Sequence, residues 1–182
     1  MKKGLLIVDV QNDFCPGGAL PVPHGNEIIS YINRRRNFYD KIFFSLDSHP
    51  PKHMSFEEEG GMWPSHCVVG TKGHELHPKL EVKITDFFIY KGLFQHKEEY
   101  SAFYDLDIGH SILAEAIEAY EIKQLDICGL ASEYCVFETA KDASSIKNLK
   151  VNILLNGCKG INKEEIKKRF TELKELNINF VS

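Results

Sequence analysis

The apolar positions of the chain form short runs that alternate with longer segments of helical spacing. Continuous or alternating apolar runs predict strands at 4–10, 41–46, 82–90, 124–128, 150–155 and 178–181. Apolar residues three or four positions apart predict helices at 26–39, 111–120, 134–146 and 163–176. This alternation predicts an α/β fold: a doubly wound, mainly parallel six-stranded sheet with helices on both faces, joined by right-handed crossovers.

Length and composition narrow the class of protein. The 182 residues can form one complete core and contain neither repeat nor linker, so we expect a single domain over residues 1–182. The net charge of −4, without a basic tract, argues against nucleic acid or anionic membrane as a partner. We find no apolar run long enough to span a bilayer and no signal peptide before the first strand, so we expect a cytoplasmic location.

The cysteines support the same location. There are five, scattered without a CxxC pair, which is typical of reduced thiols rather than of a disulfide framework or a zinc ribbon. No GxGxxG motif follows the first strand, so a dinucleotide cofactor is not expected. The sequence leaves the oligomeric state open, a homo-oligomer included.

Four reactive side chains fall at or just beyond the carboxyl ends of different predicted strands: Asp9, Asp47, Lys91 and Cys135. Ligands bind at that edge of a parallel sheet. Cys135 lies in the first turn of a helix, where free N–H groups and the helix dipole lower a thiol pKa and favour the nucleophilic thiolate. The alternative is that Cys135 is a small buried apolar residue.

The segment 47–84 is unusually long for a connection and is rich in histidine. Its spacing D-x-H-x3-H places Asp47, His49 and His53 together, with His66 further on. Imidazole and carboxylate ligands suit zinc, iron or manganese, so these four residues could hold one divalent ion. The alternative is a set of unrelated surface histidines.

Six motifs occur in order along the chain. They are LLIVDVQNDFCPGGAL (5–20), DSHPPKHMSF (47–56), WPSHCVVGTKG (63–73), YKG (90–92), YSAF (100–103) and CGLASEYCV (128–136). With these motifs the chain resembles the isochorismatase-like cysteine hydrolases, in particular the nicotinamidase/pyrazinamidase branch. The resemblance covers essentially the whole chain, although the segment 93–99 is more basic here than is usual in the branch.

The resemblance implies a catalytic triad of Asp9, Lys91 and Cys135. It also implies a cis peptide bond between Leu130 and Ala131, which would aim the N–H groups of Ala131 and Cys135 at a developing oxyanion. Phe14 and Trp63 match an aromatic clamp on the substrate ring. From its sequence context alone, Phe14 could equally be a plug over the edge of the core.

The resemblance further implies a metal site beside the triad, built on Asp47, His49 and His66. The fourth protein ligand varies within the branch; His53 is the best match, and an acid of the run 57–59 is the second choice. The expected cofactor is one divalent ion, zinc, iron or manganese, with zinc slightly preferred.

The activity implied is hydrolysis of nicotinamide to nicotinate and ammonia through a cysteine thioester, with the metal anchoring the pyridine ring. Three alternatives remain open at this point. The protein could act on another small amide, with a carbamoyl or ureido group. A metal-bound water could attack while Cys135 stays passive. Finally, the chain could be a non-catalytic metal-binding protein on the same fold.

Overall fold

The computed structural model describes residues 1–103 and 111–182. Within them lies one sheet whose neighbouring strands all pair in parallel. Its strands are β1 (Lys3–Val8), β2 (Lys41–Asp47), β3 (Phe87–Lys91), β4 (Gln124–Gly129), β5 (Lys150–Cys158) and β6 (Asn179–Val181). Their order across the sheet is β3-β2-β1-β4-β5-β6, which confirms the predicted α/β fold.

Four α-helices are found in the described residues: α1 (Ile29–Arg35), α2 (Ile112–Ala119), α3 (Cys135–Ala143) and α4 (Lys163–Glu175). Polar caps define two starts, because Ser111 accepts from the N–H of Ala114 and Asn162 from those of residues 164 and 165. The predicted helix 26–39 is interrupted: a 3-10 turn, Gly25–Ile28, precedes α1 and another, Arg36–Phe38, follows it.

The strand β1 lies in the middle of the sheet, and this position explains why its sequence is apolar without interruption. Leu5, Leu6, Ile7 and Val8 have no exposed surface although successive side chains of a strand alternate between the two faces, so the sheet is covered on both faces here. Each such side chain contributes roughly 1.5–3 kcal/mol by its removal from water. The core therefore fixes the register of the strands on either side of β1. In this way it also fixes the positions of their carboxyl ends.

The strand order reverses direction between β1 and β4. From β1 the chain builds outward through β2 and β3, and it then returns to the other side of β1 with β4, β5 and β6. Such a switch point leaves a crevice at the carboxyl ends of the strands. Asp9 follows β1 directly, Asp47 and Lys91 are the last residues of β2 and β3, and Cys135 begins α3 beyond β4. The predicted common edge of these four residues is confirmed.

The connection between β2 and β3 contains little regular structure but is tightly packed. It has one 3-10 turn, Glu57–Glu59, and isolated bridges from His49 to Val68 and from Phe56 to Trp63. The side chains of His49, His53, Phe56 and Cys67 are fully buried. The segment is therefore an ordered layer over the carboxyl edge. Along the described parts of the chain, no helix combines the length and apolar character needed to cross a membrane.

Candidate active site and metal centre

The turn between β4 and α3 presents the candidate nucleophile. The peptide bond between Leu130 and Ala131 is cis, as the resemblance implies. Cys135 is the first residue of α3, so its N–H lacks an intrahelical acceptor. Neither this N–H nor that of Ala131 has a hydrogen-bond partner in the described residues. Two free donors therefore flank the thiol, as an oxyanion hole requires.

Asp9, Lys91 and Cys135 form one buried cluster. The Nζ of Lys91 lies 2.9 Å from an oxygen of Asp9 and 3.4 Å from the Sγ of Cys135. Ser45 donates a hydrogen bond of 2.7 Å to the other oxygen of Asp9. Lys91 also donates to Asp47. Asp9 and Lys91 have no exposed surface, and Cys135 is only 5% exposed. The three residues predicted as a triad are brought together by the fold.

Burial dominates the electrostatics of the thiol. It raises the pKa of Cys135 well above 9.0, and the nearby carboxylates of Asp9 and Asp47 raise it further, while Lys91 lowers it only in part. The prediction of a lowered thiol pKa, based on the helix N-terminus alone, is therefore wrong for this structure. A thiol whose pKa is raised in this way is activated by a base beside it. Burial also raises the pKa of Asp9, against the opposing charge of Lys91.

Lys91 is the charge that holds the site together. Burial by itself would lower its pKa, but Asp47 and Asp9 raise it well above 10.5, so the ammonium is retained. In turn, Lys91 and His49 hold the pKa of Asp47 below its usual range in spite of burial. The site thus contains a fixed cation between two carboxyl groups.

Asp47, His49 and His66 present a set of metal-ligand atoms within 4.8 Å of one another. The Nδ1 of His49 contacts the carbonyl oxygen of Gly92 at 3.0 Å, and that of His66 contacts the carbonyl of Pro64 at 2.7 Å. Since a carbonyl only accepts, both Nδ1 atoms carry a proton, which leaves Nε2 as the possible ligand atom of each neutral ring.

Those two Nε2 atoms face the Asp47 carboxylate, at 3.5 Å from His49 and 3.9 Å from His66. The Nε2 of His49 is also a buried polar atom without a hydrogen-bond partner. One carboxylate and two oriented imidazoles suit a divalent transition metal. The residues present therefore fit the ion that the resemblance implies.

His53 lies beside this cluster but outside the set of ligand atoms. Its ring stacks on that of His49, with centroids 4.0 Å apart. Its Nδ1 contacts the hydroxyl of Ser55 at 2.7 Å, and its Nε2 contacts the carbonyl oxygen of Lys97 at 2.9 Å. Because Nε2 must donate to that carbonyl, it offers no lone pair to a metal. The acids of the turn Glu57–Glu59 are exposed, so the structure brings neither candidate fourth ligand into the site.

A pocket opens above the thiol and encloses about 420 Å³ of space, part of it open to solvent. Phe14 and Trp63, the two predicted aromatic contacts, both line it. The other lining residues are Leu20, Val22, Asp47, His66, Glu98, Tyr100, Ala131, Tyr134, Cys135 and Ile161. Its walls are largely apolar and aromatic, as is typical of a site for a small flat ligand.

Six lining residues are not predicted from the sequence as site residues: Leu20, Val22, Glu98, Tyr100, Tyr134 and Ile161. Tyr100 accepts a hydrogen bond of 3.1 Å from the indole N–H of Trp63, and the ring of Tyr134 meets Trp63 edge to face at 5.2 Å. Both tyrosines lie inside quoted motifs, which is the signal that could have indicated them. Glu98 lies close enough to Asp47 for its pKa to be raised, by burial and then by that charge. It stands in the segment 93–99, where a second acid, Glu99, follows it directly.

A parallel α/β sheet with a buried Asp9–Lys91–Cys135 cluster at its carboxyl edge defines a hydrolytic enzyme. The chain belongs to the isochorismatase family, whose Isochorismatase domain matches residues 3–181. It is 36% identical over 180 residues to the nicotinamidase of Escherichia coli K12, a match that covers 88% of this chain and 84% of that protein. It is 30% identical to the nicotinamidase/pyrazinamidase of Mycobacterium tuberculosis, with 98% of each chain covered.

Solved structures of related proteins share the fold of this chain. The pyrazinamidase of Pyrococcus horikoshii in complex with zinc superimposes with a TM-score of 0.90 at 38% identity, covering 100% of this chain and 99% of that one. PnC1 from L. infantum in complex with nicotinate gives a TM-score of 0.94 at 33% identity, covering 100% and 92%.

Proposed function

We propose that this protein is a nicotinamidase that hydrolyses nicotinamide to nicotinate and ammonia. One observation carries the proposal: Asp47 belongs to both reactive clusters. Its carboxylate lies within 4.8 Å of ligand atoms of His49 and His66, and also within 4.8 Å of Asp9 and of the Sγ of Cys135. A single small substrate can therefore reach a metal with its ring and the thiol with its amide. Relatives of known activity and the nicotinate complex support this substrate.

The chemistry assigned to the triad begins with proton transfer. Asp9 accepts the thiol proton of Cys135, and the Sγ attacks the carbon of the carboxamide. Lys91 stays charged throughout. Its ammonium stabilises the carboxylate of Asp9 before the proton transfer and the thiolate of Cys135 as the proton leaves. Asp9 then gives the proton to the departing ammonia. A thioester remains on Cys135, a water that Asp9 deprotonates hydrolyses it to nicotinate, and Asp9 returns the proton to the leaving sulfur of Cys135.

The oxyanion of each tetrahedral intermediate would be held by the N–H groups of Ala131 and Cys135. Their lack of other acceptors in the described residues means that no hydrogen bond has to break first. The aromatic rings of Phe14 and Trp63 would hold the flat pyridine ring between them. Position and orientation are thus supplied by groups that are already fixed in the fold.

Asp47, His49 and His66 would hold one divalent ion, which when bound would bind the pyridine nitrogen, directly or through a water. The donor set suits zinc, iron or manganese, and the zinc complex of the Pyrococcus relative makes zinc the first candidate. His53 would support the site by stacking on His49. Since all five cysteines are free, we also propose a reducing, cytoplasmic location for this single-domain enzyme.

Ammonia release from nicotinamide tests the proposal. The metal-loaded protein should release ammonia, and Cys135→Ala should lower kcat by at least about 10³-fold, because the nucleophile is lost. Cys158→Ala removes another buried thiol, in β5, and should leave kcat within about threefold, since it is absent from the pocket lining. Chelation should abolish release and metal should restore it.

Other outcomes would identify the alternatives. Full activity in Cys135→Ala would show that the thioester route is wrong and that a metal-bound water attacks instead. Absence of release from nicotinamide, with turnover of carbamoyl or ureido compounds, would keep the cysteine chemistry but change the substrate. Absence of turnover with every small amide would leave a non-catalytic metal-binding protein.

A further inference from the structure

The segment 159–162 is bound to the turn that carries the nucleophile, and Glu133 is the main link. Glu133 lies two residues before Cys135 and is only 2% exposed. Its Oε1 accepts hydrogen bonds from the N–H groups of Ile161 and Asn162, both at 2.7 Å. Such charge-assisted bonds are shorter and stronger than bonds between neutral groups. One buried carboxylate thus holds two consecutive backbone donors.

The fit around this carboxylate is close. A Cβ at Gly160 would lie 2.2 Å from the Oε2 of Glu133, so only glycine leaves room for the side chain there. The N–H of Ser132 also donates to the carbonyl of Lys159, at 2.9 Å. The turn and the segment are therefore joined on both sides of Gly160.

Ile161 connects the hydrogen bonds of Glu133 to the substrate pocket. It lines the pocket together with Ala131 and Cys135, yet it is 44% exposed. Packing against the core therefore does not hold its side chain in place. Its position depends on its backbone, whose N–H is bonded to Glu133.

We propose that Glu133 is a positioning residue that sets the Ile161 wall of the substrate pocket. The proposal rests on the nicotinamidase function proposed above. Glu133 contacts no reacting atom, and the Cys135 thiol keeps its own contact with Lys91. Loss of the carboxylate should therefore weaken substrate binding more than it slows the chemical step.

Steady-state kinetics with nicotinamide can separate these effects. We expect Glu133→Ala to raise KM roughly 10-fold, as when an outer support of a binding group is lost, with kcat within about threefold. Glu133→Gln keeps one acceptor oxygen and should give an intermediate KM. Glu164→Ala removes an exposed acid at the start of α4 and should match the wild type.

A double-mutant cycle then tests whether Glu133 acts through Ile161. Ile161→Ala should itself raise KM, and adding Glu133→Ala should raise it little further, because the wall is already gone. Fully additive effects on KM, or a fall in kcat alone, would overturn the proposal while leaving the nicotinamidase activity of the wild type in place.

Amide hydrogen exchange gives a readout that needs no turnover. In Glu133→Ala the amides of Ile161 and Asn162 should exchange faster, whereas those of the central strand β1 should not change. Unchanged exchange at 161 and 162 would contradict the proposal. If the wild type releases no ammonia from nicotinamide, the proposed function fails, and the exchange result still decides whether Glu133 holds this wall.

Discussion

Lys91 is a fully buried cation, and the two carboxyl groups that it contacts, those of Asp9 and Asp47, are buried as well. It contacts Asp9 at 2.9 Å and donates to Asp47, and it is the common partner of the two carboxyl groups and the thiol. A buried charge is tolerated when it is paired, and removal of one partner leaves the others uncompensated. Its role is therefore structural as well as catalytic.

We predict that Lys91→Met lowers the free energy of unfolding by about 3–5 kcal/mol, because two carboxyl groups are then buried without a cation. Urea unfolding should be measured after chelation, so that no metal ion replaces the lost charge. The double variant Asp9→Asn, Lys91→Met should recover part of this loss, though not the activity. A single variant within about 1 kcal/mol of the wild type would show that Lys91 does not compensate these charges.

Single residues also show where sequence reasoning reaches its limit. The type and place of Asp9, Lys91 and Cys135 follow from the strand pattern, because polar residues at strand ends are easily recognised. The ionisation of Cys135 does not, since it depends on burial and on the Asp9 charge as well as on the helix N-terminus. His53 shows the same limit, because the carbonyl of Lys97 that binds its Nε2 is far away in sequence.

At the scale of elements, the residue that follows β3 orients one of the candidate metal ligands. Gly92 follows β3 directly, and its carbonyl accepts from the Nδ1 of His49. Its φ is +68°, and a Cβ there would lie 2.5 Å from the His49 ring. A side chain at this position would add backbone strain and displace a proposed ligand.

We predict that Gly92→Ala weakens metal binding by roughly 10–100-fold, because His49 loses its orientation. Gly17→Ala is the matched control: its φ is +96°, but nothing lies within 4 Å of the added Cβ. Both variants carry backbone strain of the same kind, so a difference in metal affinity, measured by titration of the apo protein, isolates the contact with His49. Equal affinities would contradict this account.

The elements themselves are largely predictable, whereas several of their ends are not. The central strands and α4 follow from apolar runs and from a cap such as Asn162. The strand β5 continues past the predicted 155 to Cys158, because pairing of Cys158 with Gly129 extends it through polar residues. The predicted helix 26–39 does not begin as an α-helix at Asn26, since this residue lies inside a 3-10 turn. Such ends depend on contacts between elements, which local patterns do not contain.

At the scale of the whole molecule, the site gathers residues from nearly the whole length of the chain. Asp9 and Cys135 are 126 positions apart in sequence, but they follow two strands, β1 and β4, that are neighbours in the sheet. The motifs predict most members of the site. Glu98 and Ile161 enter it through tertiary packing, which the sequence pattern does not show.

The metal should also act as a cross-link within the whole molecule. Asp47 and His49 lie at and beyond the end of β2, and His66 lies in the layer that covers the carboxyl edge, so an ion bound by all three ties this layer to the sheet. Because the unfolded chain lacks the assembled site, binding stabilises the folded state by about 2.7 kcal/mol when free metal is 100 times its Kd.

We therefore predict that saturating zinc raises the Tm of the chelator-treated protein by roughly 5–10 °C, the shift that such a stabilisation gives in a domain of this size. Differential scanning calorimetry would measure it. His66→Ala should abolish most of the shift, because one of three ligands is lost, whereas His77→Ala, a partly buried histidine outside the ligand group, should retain it. An equal shift in both variants would place the bound zinc elsewhere and remove the physical basis for the ring-anchoring site.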